Sequence, residues 1–96
     1  MAGQIAEYLE TDEILEWTDL EELLVWFDDA GFVDDKVYSI HNNSATSFRF
    51  LTGDVIDEAI HGTVCNQGST IYFRPDNGSK IYVKGQNFNI AVSEIK

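Results

Sequence analysis

The sequence predicts an α+β fold, with acidic N-terminal helices packed on one face of a C-terminal antiparallel β-sheet, a meander of about 4–5 strands. Three observations predict it. Residues 1–35 hold 12 acidic side chains and no Lys or Arg, against 5 acidic and 6 basic ones in residues 36–96. Apolar residues recur at helical spacing before Lys36 and at alternate positions after it. Short turns containing Gly or Asn punctuate the second part. No Pro, Gly or Ser cluster divides the chain, so residues 1–96 read as a single domain, with 1–35 its acidic helical part and 36–96 its antiparallel sheet part.

The first element is a helix over Gly3 to Glu10, with Ile5, Tyr8 and Leu9 on one face. Thr11-Asp12 caps a further turn that carries Ile14, Leu15 and Trp17. The strongest signal follows. Thr18-Asp19-Leu20-Glu21 has the form of a capping box, Gly31 is a natural stop, and Leu20, Leu23, Leu24 and Phe27 make one apolar stripe. Phe32 closes the C-terminal turn over that stripe. Trp26 falls off it, between Glu22 and Asp29 on the outward side.

Beyond Lys36 an early hairpin joins Val37–Ile40 to Thr46–Leu51 around Asn42-Asn43. Residues 54–65 fit helix and strand equally, because Ile56, Ile60 and Val64 satisfy both periods. In the last part, a three-residue loop at Asp76-Asn77-Gly78 pairs Phe73 with Ile81, Ile71 with Val83, and Tyr72 with Tyr82. A two-residue loop at Gly85-Gln86, of type II′ with Gly first, then brings Phe88 opposite Val83. Residues 69–95 read as a three-stranded meander with one buried face.

Apolar residues make up 44% and aromatics 12%, enough for a core despite a net charge of −11. No run approaches the ~18 apolar residues of a membrane span and no secretion signal opens the chain. Cys65 is the lone cysteine, so no intrachain disulfide forms. A cytoplasmic protein is expected. The triplets Asn42-Asn43-Ser44 and Asn77-Gly78-Ser79 fit the glycosylation pattern, but in that compartment they read as turns.

The sequence offers no catalytic constellation, and an enzyme is not expected. Walker, GxGxxG, HExxH and GxSxG motifs are absent. His41 and His61 have no second nitrogen or sulfur at metal spacing, and Cys65 reads as a small core residue. The pairs Asp28-Asp29, Asp34-Asp35 and Asp57-Glu58 do not follow the ligand order of a calcium loop. The expected catalytic, metal and cofactor residues are therefore none. The hairpin register sets Arg74 across from Lys80, with Tyr72, Tyr82 and Lys84 beside them, a small basic aromatic platform. A chain of charge −11 repels a polyanion, so direct nucleic-acid binding is not expected either.

The segregated charge points instead to a basic partner. Asp28 and Asp29 at the end of the expected helix oppose its dipole, which a purely solubilising role does not require. The expected partner-binding residues are Asp19, Glu22, Trp26, Asp28, Asp29, Asp34 and Asp35. In size, acidity and lack of catalytic motif the chain resembles small phage-encoded defence inhibitors, the anti-CRISPR and anti-restriction proteins, several of which imitate DNA. That resemblance implies a non-enzymatic inhibitor of a basic, nucleic-acid-binding protein or complex, acting in the host cytoplasm if it is phage-encoded. An immunity protein that neutralises a nuclease toxin, or a structural subunit of a phage or host complex, fits the same traits.

Overall fold

The computed structural model describes residues 2–8, 13–27, 31–53, 62–76 and 79–95. Among them the chain is nearly all β, and its one helix has a single turn. A five-stranded sheet runs in the order β3 (Val25–Trp26), β1 (Ala2–Tyr8), β9 (Ile90–Ile95), β4 (Val37–Asn42), β7 (Thr70–Phe73). A four-stranded sheet runs β2 (Glu13–Asp19), β8 (Lys80–Gln86), β5 (Phe48–Gly53), β6 (Thr63–Cys65). Every pair is antiparallel. The α+β expectation is thus overturned, and the architecture is two antiparallel sheets closing on one core.

That core draws on both sheets. Tyr38, Ile40, Ile90 and Val92 come from the five-stranded sheet, and Phe48, Cys65, Ile81 and Val83 from the four-stranded one. Leu20 and Leu24 close it from the side, and Phe88 lies against Phe48 with ring centroids 5.2 Å apart.

The expected N-terminal helices fail for a shared reason. A short helix in water is marginal, whereas an extended segment beside an open sheet edge satisfies its backbone at once. Residues 2–8 pair along β9, with Ala6 buried opposite Val92. Residues 13–19 pair with β8, with a register shift between Ile14 and Thr18. The helix expected from Thr18 to Gly31 survives only as α1 (Leu20–Leu23). Its cap is Asp19, whose side chain accepts from the Glu21 amide at 3.0 Å, and Thr18 donates to the Glu16 carbonyl instead. Leu24 is extended at φ −72°, ψ 144°. Val25, Trp26 and Phe27 are three successive strand formers, and pairing with β1 outweighs a helix whose end would carry Asp28 and Asp29.

The meander is overturned as well. β7 pairs with β4, β8 with β5 and β2, and β9 with β4 and β1, so consecutive strands lie in opposite sheets. Yet Ile81, Val83, Phe73, Phe88, Ile90 and Val92 are all buried, and Ile71 packs against them. Parity fixes which side chains share the buried side. Strands facing one another across a core meet that condition as well as strands side by side. β4 and β5 likewise belong to different sheets rather than to one hairpin. Asn42 is not a turn residue but a buried fastener: its amide donates to the carbonyls of Thr46 and Cys65, and its oxygen accepts from Ser44 N at 2.8 Å. Of the ambiguous stretch, Thr63–Cys65 is strand β6, while 54–61 and the expected loop residues Asn77 and Gly78 lie outside the described residues.

Candidate functional site

The strand pairings bring the described members of the expected set to one end of the sandwich. Asp19 lies opposite Tyr82 near the start of β8, Phe73 at the end of β7 lies opposite Tyr38, and Val37 at the start of β4 lies opposite Ile95. The chain segments that meet there are the end of β2, α1, the 31–36 loop and residues 74–76 and 79–80. They carry Asp19, Glu21, Glu22, Asp34, Asp35 and Asp76, against Lys36, Arg74 and Lys80. Asp28 and Asp29 lie outside the described residues.

Each carboxylate has a different task. Asp19 uses both oxygens, one as the cap of α1 and one 3.3 Å from Lys80 Nζ, and its side chain is only 10% exposed. It contributes charge to the surface rather than an open contact. Lys80 is correspondingly held cationic, its pKa raised by the hydrogen bond and charge of Asp19, then by Tyr82 and Glu22. Glu21 reaches across to the 31–36 loop, where its Oε2 accepts from Phe32 N at 2.7 Å. A cleft of about 170 Å³ opens between them, lined by Asp19, Glu21, Phe32, Asp34, Pro75, Ser79 and Lys80. Asp35 holds a left-handed backbone, φ 67°, donates its N–H to the Pro75 carbonyl and faces Arg74 at 3.4 Å, with both side chains exposed. Glu22 is exposed on α1.

Trp26 is placed otherwise than the helical projection implied. It is half-buried, packs edge-on against Phe32 at 5.1 Å and donates its indole N–H to the Glu21 carbonyl at 3.0 Å. Phe32 in turn meets Tyr38 and Phe73. Trp26 therefore ties β3 to α1 and to the core, while its neighbours Val25 and Phe27 are 59% and 62% exposed. Helical projection set Val25 outward as observed but counted Phe27 in the buried stripe. A period-two reading of residues 24–27 turns Trp26 inward and Val25 and Phe27 outward.

The basic aromatic platform does not form, since Tyr72 and Arg74 follow the five-stranded sheet while Lys80, Tyr82 and Lys84 belong to the other. Lys84 sits instead over the Trp17 ring, 5.0 Å from its centroid. A shallow groove of about 380 Å³ runs over that sheet's outer surface, with Leu15, Arg49, Val64 and Lys84 along it. Among the described residues away from the acidic end, the turns carry Asn43, Asn66, Gln67, Asn87 and Asn89, and Glu13 there meets Gln86 at 3.0 Å.

His41 Nδ1 lies 2.8 Å from Thr70 Oγ1. Cys65 is 1% exposed and burial pushes its thiol pKa up, which disfavours the nucleophilic thiolate. Among the described residues no group of three His, Cys, Asp or Glu side chains is arranged to hold a metal ion, and no helix is long and apolar enough to cross a membrane. No family model, curated protein or solved structure matches this chain.

Proposed function

We propose that this protein is a non-enzymatic acidic binding protein that inhibits a basic, nucleic-acid-binding partner by occupying the surface on which phosphates would sit. The observation that carries the reading is the convergence of carboxylates from separate segments, Glu22 from α1, Asp34 and Asp35 from the 31–36 loop, and Asp76 after Pro75, at one end of the sandwich. Such a patch attracts a basic groove and competes with nucleic acid for it. The mimicry does not rest on a helical ladder of charge, because that helix is a single turn. Carboxylates set by loops and a sheet end present a broad surface instead. An intracellular site of action, where the lone Cys65 stays reduced, belongs to the same proposal.

The test is capture of partners from lysate at low salt, with elution by competing duplex DNA or RNA. The triple variant Glu22→Lys, Asp34→Lys, Asp35→Lys is expected to lose the capture while unfolding at nearly the parent temperature. Capture that resists both the competitor and the triple variant would overturn the reading.

A further inference from the structure

We infer that the outer surface of the four-stranded sheet binds a small organic anion whose charge lies between two apolar arms. The inference is independent of the acidic-binding reading above.

Strand pairing builds the site. Arg49 of β5 lies directly opposite Val64 of β6 on one side and Lys84 of β8 on the other, and directly paired residues stand side by side on one face of a sheet. Ile14 of β2 lies opposite Gly85, and Leu15 after it reaches the same groove as Lys84. The row across the four strands is therefore Val64, Arg49, Lys84, Leu15: two cations between two apolar side chains. Val64 is 42% and Leu15 73% exposed, so both ends of the row are open. The groove along it holds about 380 Å³, a volume that suits a small ligand.

The charges select the occupant. Like charges directly opposite one another weaken a strand pair. The chain has 6 Lys and Arg and a net charge of −11, yet two of those six stand together here, where one anion lies within reach of both. Trp17 steadies Lys84, whose ammonium sits 5.0 Å from the centroid of the buried ring. Glu13 also borders the groove, but it lies opposite Gln86, two positions along β8, and meets that amide at 3.0 Å. The centre of the row is thus positive. A polyanion is repelled by the charge of the whole chain, a penalty that a single charge largely avoids. Size completes the match. Neighbouring strands lie about 4.8 Å apart, so the row spans roughly 14 Å and each apolar end stands one strand from a cation. An anionic group with an arm of about four carbons on either side covers that length.

The probe is dibutyl phosphate, with inorganic phosphate as charge without arms and tributyl phosphate as arms without charge. Each is titrated into isotope-labelled protein and followed by NMR at the backbone amides of Leu15, Arg49, Val64 and Lys84. A ligand of this size reaches a Kd on the order of 1 mM, and the diester is expected to bind at least about tenfold more tightly than either control. Arg49→Gln with Lys84→Gln is expected to weaken the diester about tenfold. Leu15→Ser with Val64→Ser, both at exposed positions, is expected to keep the fold and to bring the diester down to the level of inorganic phosphate. Equal binding of the diester and the neutral triester would overturn the anion site, as would diester binding that survives both double variants. Unmoved amides at about 10 mM diester would overturn it as well.

Discussion

At the scale of single residues, the groups that look chemically active are the ones most committed to holding the fold. Asn42 is fully buried and makes three hydrogen bonds that close the passage from β4 to β5. Asn42→Ala leaves a buried amide and two carbonyls without partners and is expected to cost about 3 kcal/mol, measured by urea unfolding. Its burial also leaves no room for a sugar at the Asn42-Asn43-Ser44 triplet. Trp26→Ala removes a half-buried indole and its bond to Glu21, and about 2–3 kcal/mol of stability should go with it. An unchanged unfolding midpoint would return Trp26 to the outward role. Cys65 gives a pH signature. Burial raises its folded pKa, so as pH climbs past the unfolded thiol value of about 8.5 the unfolded chain ionises first and stability falls. That stabilisation is complete below the unfolded pKa and is lost toward the folded one. Cys65→Ala should flatten the decline, and parallel pH profiles for the two proteins would refute this account.

At the scale of elements, glycine and capping positions keep their importance for reasons other than the sequence implied. Gly85 is not the first residue of a turn. It sits inside β8 directly opposite Phe48, where a Cβ would lie 3.0 Å from the Phe48 Cβ and 3.3 Å from Phe88, with φ at +152°. Gly85→Val is expected to destabilise by about 3 kcal/mol through overpacking against the β5 backbone, read as a lowered thermal midpoint. Gly31, expected to stop a long helix, instead leaves room for the Glu21 carboxylate, 2.9 Å from where a Cβ would stand. Asp19 both caps α1 and binds Lys80, so Asp19→Ala should cost about 1 kcal/mol from the cap. It should also lower the Lys80 pKa toward its ordinary value, as followed by NMR titration of the ammonium.

At the scale of the whole molecule, the charge polarity follows the strands rather than dividing helices from sheet. Among the described residues, one end gathers the carboxylates of α1, the 31–36 loop and Asp76, while the turns at 43–47, 66–69 and 87–89 are rich in amides. Attraction between such an end and a basic groove is screened over about 8 Å at physiological salt. Partner affinity is therefore expected to fall at least about tenfold between roughly 0.05 and 0.5 M salt. A flat dependence would shift attention to the apolar and cationic groove along Leu15, Arg49, Val64 and Lys84.

The sequence by itself determined the composition of the core after Lys36 and the crowding of acid before it. Alternation with period two depends only on the local pleat, so Ile71, Phe73, Ile81, Val83, Phe88, Ile90 and Val92 were legible as one buried set. The tertiary structure alone decided which strands are neighbours, because parity is the same across a sandwich as along a sheet. It also decided that residues 2–8, 13–19 and 25–26 extend. Their apolar spacing fits a helix, but a seven-residue helix gains little alone, whereas the edges offered by β8 and β9 satisfy a whole row of backbone groups. From the same cause Trp26 turns inward and Phe27 outward: a two-residue period along β3, imposed by pairing with β1, replaces the helical wheel.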